Sequence, residues 1–204
     1  MRLGVLGPAS GDLSGLARAA QLLLDGFRAE RVIYLAPDDA LDRVVGAWAS
    51  ELVGANPNDV VLFERAAHAC AKATPEQIDG FVASERARRR LRVFASLPPP
   101  PGRTIELIDG RVAVLLYDKA ALDEDDIAGA SLLVFGKSQQ CLIKRVGART
   151  FIAPGKIGCE AGGSAMLDDE KGGVRIRIID STGMVTQTEM VGGPTIAGAK
   201  LKVQ

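Results

Sequence analysis

Histidine is nearly absent from this chain: His68 is the only imidazole in 204 residues. A dinuclear hydrolase built on imidazole and carboxylate needs several histidines, because neutral imidazole is the commonest ligand for borderline metals. Cysteine is almost as scarce. Cys70, Cys141 and Cys159 form an odd set without metal-ligand spacing, which points to a reduced, cytoplasmic protein rather than a disulfide scaffold or a zinc module. Aromatic residues make up 4% of the chain, too few to interleave a basic surface for base stacking. Charge of either sign is also not in excess, since 25 basic residues balance 25 acidic ones, and no nucleic-acid partner is expected. No apolar run approaches the roughly 20 residues of a membrane span. The apolar opening at Met1–Leu6 is too short for a signal peptide and reads as a strand.

What is present is a chain long enough for one full core, with hydrophobic residues at 47%. One domain over residues 1–204 is the default, with a first βαβ half over 1–97, a second sheet half over 103–191 and a tail over 192–204. Arg2–Leu6 is the first strand, followed by the loop Gly7-Pro8-Ala9-Ser10-Gly11. Asp12 is an N-cap for a helix whose apolar stripe runs through Leu13, Leu16, Ala20, Leu23 and Leu24. Val32–Leu35 is the next strand, parallel to the first by the rule for such crossovers. A helix over Ala40–Val53 and a third strand over Val60–Phe63 follow. Thr74-Pro75-Glu76-Gln77 opens a further helix with a capping box, running to about Leu97, where four prolines stop it as a stiff spacer.

Asp109-Gly110 between Thr104–Ile108 and Arg111–Tyr117 is a type I′ hairpin signal. The acidic run Asp123–Asp126 lacks glycine-spaced loop geometry and reads as the start of a surface helix. The stretch that organises the chain is Leu132–Gly158. There an apolar strand ends at Gly136, a hairpin turns at Gly147-Ala148, and the next strand ends at Pro154-Gly155. The loops Gly136–Gln139 and Pro154–Gly158 are therefore expected side by side. Ser164–Leu167, Val174–Asp180 and Met184–Val191 read as a meander completing the second sheet.

This order of glycine, proline and apolar frames resembles the calcineurin-like metallophosphoesterases, in the compact form of bacterial phosphodiesterases and of the retromer subunit of the same fold. The resemblance covers about Met1–Val191 and implies a four-layer αββα sandwich of two mixed β-sheets flanked by helices. It also implies motifs that this chain has rewritten. The family's SDTHGN loop falls on Pro8 and Ser10, and the bridging aspartate of its GD motif falls on Pro37. Asp38 replaces that aspartate only if the loop shifts by one residue, and otherwise caps the following helix. The best register for GNHD gives Ala67 and His68, so that His68 is either a relic of the catalytic histidine or an ordinary helix residue. The HG position reads Tyr117, and the GHTH positions read Lys137 and Gln139.

None of these side chains is a carboxylate or imidazole apart from the relic. Two cations about 3.5–4 Å apart need bridging anionic ligands to offset their repulsion. The expectation is a pseudoenzyme with no metal and no cofactor, kept as a protein-binding or scaffold module. The alternative is a phosphate-bearing small molecule or nucleotide held by Lys137, Lys156 and Lys119 in the vacated pocket, where the lysines otherwise pair with nearby aspartates. Metal-dependent phosphodiester hydrolysis ranks below both. For a protein partner, the anchor is Trp48 on the broad stripe of Leu41, Val44, Val45 and Leu52, with Arg88, Arg89 and Arg90 as a polar rim. The competing account packs the whole stripe on the first sheet.

Overall fold

The computed structural model describes residues 1–54 and 56–192. The expected tail over 192–204 lies outside the described residues apart from Gly192. Strand β1 (Arg2–Leu6) is followed by helix α1 (Leu13–Gln21), which runs on into a π turn at Leu22–Gly26, and by β2 (Arg31–Tyr34). Asp12 caps α1 as its side chain predicts, accepting the Gly15 N–H at 2.8 Å. Helix α2 (Ala40–Val53) crosses back over the sheet. A helical hairpin of α3 (Leu62–Cys70) and α4 (Pro75–Arg90) then leads to β3 (Phe94–Ser96). Thr74 and Gln77 close the expected capping box at the start of α4.

The second half supplies β4 (Arg103–Ile108), β5 (Arg111–Leu116), the short helix α5 (Glu124–Gly129), β6 (Leu132–Phe135), β7 (Leu142–Val146) and β8 (Arg149–Ala153). The chain closes with β9 (Ser164–Glu170), β10 (Gly173–Ile179) and β11 (Val185–Gly192). Asp109 and Gly110 both take positive φ, as a type I′ turn between β4 and β5 requires. Asp123 and Asp126 cap α5 reciprocally, so the acidic run is a helix start, and both side chains bind Arg103.

Two mixed sheets pack face to face. The first has six strands in the order β11-β10-β9-β1-β2-β3, and the second has five in the order β4-β5-β6-β8-β7. Between them lies a core of Leu3, Val5, Ile33, Leu115, Leu132, Val134, Ile152, Leu167 and Ile176, each fully buried. Each such side chain contributes about 1.5–3 kcal/mol by leaving water. A second core, with Leu16, Leu23, Tyr34 and Leu41, joins the first sheet to α1 and α2. The outer face of the second sheet is covered more thinly, with Val114, Leu116, Leu133 and Phe135 under the α5 region.

Several expectations are corrected. Val60–Phe63 is not a strand: Asp59–Val61 is a 3-10 turn capped by Asn58, and Leu62 begins α3. β-branched residues in a short apolar run do not distinguish a strand from the start of an amphipathic helix. Phe63, expected in the core, is 84% exposed. The arginine-rich helix ends at Arg90 rather than Leu97, and its last residues become the missing third parallel strand, β3. The C-terminal meander joins the first sheet rather than the second, because β9 pairs antiparallel with β1. A boundary near residue 103 consequently does not separate the sheets. The prolines after β3 do not form an extended spacer either. They turn, with the Gly102 N–H on the Pro99 carbonyl at 2.8 Å.

Candidate functional site

The carboxyl ends of β1, β2 and β3 in one sheet and of β5, β6 and β8 in the other point the same way, and their loops meet at one end of the sandwich. Ligands of α/β sheets bind at such carboxyl ends. Here the loops meet backbone to backbone. The Gly7 N–H bonds the Gly163 carbonyl at 2.9 Å, and the Ile157 N–H bonds the Pro8 carbonyl at 2.9 Å. Gly136 lies flat on Leu35, and a methyl group at Gly136 would overlap the Leu35 carbonyl oxygen. A methyl group at Gly7 would overlap the Gly155 carbonyl oxygen in the same way. The loops Gly136–Gln139 and Pro154–Gly158 are neighbours as expected, with Gly155 against Gln140 and Cys141.

Pro37 is exposed and shares a cleft of about 40 Å³ with Pro98, Pro100, Tyr117 and Asp118. The loop after the third parallel strand is thus the proline run, and not Ala66–Ala69. Ala67 and His68 sit instead on α3 in the helical layer. His68 lines a separate hollow there with Leu52, Arg65 and Phe81. The register that made His68 a catalytic relic is corrected with the strand on which it rested. Ser10 is exposed with a φ of 50°, and Gln139 and Lys156 are exposed on their loops.

Asp38 stays out of any ligand role. Its Oδ1 accepts the Tyr34 hydroxyl at 2.9 Å and the Ala40 N–H at 3.1 Å, which closes a turn just before α2, whose N-cap position is Asp39 rather than the expected Asp38. Tyr34 is fully buried, and its oxygen also accepts the Ala9 N–H at 3.0 Å. Burial above all holds the Tyr34 phenol protonated far above its ordinary range. The Ala9 N–H pulls the other way, and the Asp38 carboxylate reinforces burial. Tyrosine thereby ties the first loop to the second in neutral form. Tyr34→Phe leaves the Ala9 N–H buried without a partner and is expected to cost about 1–2 kcal/mol in urea unfolding. A variant as stable as the parent would show that this hydroxyl does not hold the loops.

Lys137 forms an ion pair with Asp118. The Lys137 hydrogen bond, with the Ala120 N–H second, holds the Asp118 carboxyl below the ordinary aspartate range, and Asp118 in turn raises Lys137. Lys119 stands over the Phe135 ring, 5.7 Å from its centroid. Among the described residues, no three histidine, cysteine or carboxylate side chains are placed to hold a metal ion. The family's ligand positions carry proline, serine, tyrosine, lysine and glutamine, and the nearby carboxylates Asp38 and Asp118 are engaged with Tyr34 and Lys137, a set that does not fit a pair of divalent cations.

The expected interface residues divide. Trp48 is half-buried, tilted 57° against Phe94 at 5.9 Å, and borders a groove of about 510 Å³ with Leu24, Leu91, Asp25 and Arg90. Leu41 and Val44 on its stripe are buried. Arg88 is not a rim residue, which corrects the expectation. It is 7% exposed, paired with Glu85 at 2.9 Å and Asp59 at 2.5 Å. Arg90 is engaged with Asp25 at 3.0 Å, and Arg89 is exposed. Among the described residues, the large apolar side chains most open to solvent are ones that sequence reasoning placed in a strand, Val60 at 83% and Phe63 at 84%. The Asn-Pro-Asn turn before Val60 and the helical spacing of Leu62, Arg65 and Ala69 carried the signal that α3 was a helix.

The architecture is that of the calcineurin-like metallophosphoesterases: an αββα sandwich with two mixed sheets and loops gathered at one end. It is similar in fold to a conserved uncharacterized protein of Streptococcus pneumoniae TIGR4, a predicted phosphoesterase. That match has 9% identity over 94% of this chain and 97% of that one, with a TM-score of 0.54. An archaeal phosphodiesterase matches with 12% identity, 95% and 100% coverage and a TM-score of 0.46. A single-substitution variant of Vps29 from Entamoeba histolytica matches with 15% identity, 95% and 99% coverage and a TM-score of 0.47. At such identities the likeness is one of fold. No protein-family model matches the sequence, and no curated protein does.

Proposed function

We propose that this chain is a catalytically inactive protein of the metallophosphoesterase fold that works by binding another protein. The observation that carries the reading is the donor set at the loop ends. Pro8, Ser10, Pro37, Tyr117, Lys137 and Gln139 stand where the resemblance calls for carboxylates and imidazoles, and the loops between them are closed by backbone contacts. Function lives in the site rather than the fold, and this site offers no nucleophile–base pair.

The surface left to do work is apolar with an arginine rim. Phe63 and Val60 project from the α3 region, and Phe63, Phe81, Arg86 and Arg89 line one shallow hollow of about 300 Å³. Exposed aromatics beside arginine are the composition of binding hot spots. The anchor accordingly moves from Trp48 to Phe63, while Arg89 keeps its place in the rim. A partner with an apolar ridge and flanking carboxylates suits it. No helix among the described residues is long and apolar enough to cross a membrane. A cytoplasmic setting is part of this reading. The phosphate-binding alternative has less support, since Lys137 and Lys119 already have partners in Asp118 and Phe135.

Two measurements test the proposal. Phosphomonoester and phosphodiester substrates with manganese are expected to give no turnover above a blank, and His68→Ala to behave like the parent. Manganese-dependent turnover that follows the folded chain through purification would overturn the inactive reading, whatever the His68 variant does. Proteins captured from the native extract are expected to be lost with Phe63→Asp and weakened at least tenfold with Arg89→Glu, and to survive Trp48→Ala. Full capture by the Phe63 variant would place the interface elsewhere.

A further inference from the structure

We propose that Cys141 and Cys159 are a redox pair that closes into an intramolecular disulfide under hydrogen peroxide, fastening the Gly136–Gln140 loop to the Pro154–Gly163 loop. All three cysteines are free thiols in this structure. Two of them converge from loops that are distant in sequence. A methyl group built on Gly155 would stand 2.9 Å from the Cys159 sulfur and 3.1 Å from the Cys141 backbone nitrogen. One built on Gly162 would stand 2.9 Å from the Cys141 β-carbon. The Cys141 thiol donates to the Ala161 carbonyl at 3.3 Å, and the Gly162 N–H donates to the Cys159 carbonyl at 3.5 Å. Both sulfurs therefore flank the same short stretch of backbone. Gly155, Gly158 and Gly163 all take positive φ in this loop, so the backbone that must adjust to join the sulfurs is glycine-rich.

The two thiols are not equivalent. Cys141 is half-buried at the mouth of β7, and the Gln187 side-chain amide donates to its sulfur at 3.4 Å. Burial, and then the neighbouring Cys141, push the Cys159 thiol up, so it stays protonated longer. Cys141, on whose sulfur the Gln187 amide donates, is taken as the attacking sulfur and Cys159 as the resolving one.

The Cys141 thiolate attacks one peroxide oxygen, and the O–O bond breaks. The second oxygen leaves as water after taking up a proton, which leaves a sulfenic acid on Cys141. The Cys159 sulfur then attacks the Cys141 sulfur. The S–S bond forms, the S–O bond breaks, and the departing hydroxide takes the Cys159 proton to give a second water. Two thiols are oxidised by two electrons as one peroxide is reduced, and a dithiol reverses the bond by exchange.

The test is peptide mass spectrometry under non-reducing conditions on the whole chain before and after peroxide. The expected result is loss of two titratable thiols and a linked peptide pair carrying Cys141 and Cys159, reversed by dithiothreitol. Cys70→Ser should leave that link unchanged. Cys159→Ser should leave a sulfenic acid on Cys141 that dimedone traps. Retention of all three thiols by the parent chain, or a link through Cys70, or oxidised Cys141 without the link, would each overturn the proposal. The parent measurement needs no variant, so a misfolded Cys159→Ser chain does not spoil the test.

Discussion

Gly136→Ala is expected to destabilise the fold by on the order of 3 kcal/mol or more, at the upper end of what overpacking costs. The reason is contact and not backbone strain. A methyl group at position 136 would overlap the Leu35 carbonyl oxygen and press on its β-carbon, and neither is the flexible end of a side chain. Leu35 is fully buried and is held by its N–H on the Leu6 carbonyl at 2.9 Å. Gly136 is held by its own N–H on the Leu116 and Tyr117 carbonyls at 3.1 Å. Relief thus requires the two sheets to part at the end where their loops meet. Gly46→Ala is the matched control. Gly46 lies within the exposed run of α2 with nothing within 4 Å of the new methyl, so alanine there should stabilise by about 0.5–1 kcal/mol. Chemical denaturation of both variants decides the matter. A Gly136→Ala chain as stable as the parent would mean that the loops are not in contact as described.

Arg88→Met should cost about 2–3 kcal/mol, because it leaves one oxygen of the buried Glu85 carboxylate unpaired, with Arg65 alone on the other. Glu85 is 6% exposed, and its oxygens receive Arg88 at 2.9 Å and Arg65 at 2.7 Å. Arg88 also donates to the Pro57 carbonyl at 3.0 Å, so its loss unties the loop before α3 as well. The double variant Glu85→Leu with Arg88→Met should recover only part of that loss, since Arg65 keeps the Asn56 and Asn58 carbonyls but loses its carboxylate. The pH dependence has a fixed sign. Burial raises the Glu85 carboxyl, but hydrogen bonds from Arg88 and Arg65 outweigh it and the net shift is down from 4.5. A carboxyl lowered on folding contributes stability that is present above its unfolded value and lost as pH falls through the folded one. The parent should therefore lose stability below about pH 4.5 more steeply than the double variant does. Equal acid profiles would remove Glu85 from the account.

Much of the second sheet was legible because its signals are local. Asp109-Gly110 demanded one turn type, Gly147-Ala148 another tight turn, and Leu132–Phe135 is apolar on both faces as a central parallel strand must be. The first sheet was harder. Its third parallel strand has only three residues, Phe94–Ser96, joined to an arginine-rich helix by one 3-10 turn over Leu91–Val93, so no glycine or proline marks the change. Val60–Phe63 looked more like a strand than the true one does. The partnership of β9 with β1 was hidden for another reason. A strand's residues report which faces are buried, not which neighbour it pairs with, and Ser164–Asp168 suits either sheet. Among site residues, the sequence shows at once that Pro8, Pro37, Tyr117 and Lys137 carry neither carboxylate nor imidazole, and the loss of a metal site there belongs to the proposed reading. The proline run at the third loop and the exposure of Phe63 followed only from the correct strand order.

Strand β1 lies between β2, which is near in sequence, and β9, whose Asp168 pairs with Arg2 from 166 positions away. On a ribosome working at roughly 5–20 residues per second, β1 waits about 8–30 seconds for that neighbour. Leu3, Val5 and Ile33 stay uncovered on their inner face meanwhile. Such long-range closure slows folding and leaves an open strand edge to chaperones or to other nascent chains. The first strand to be made is among the last to be enclosed.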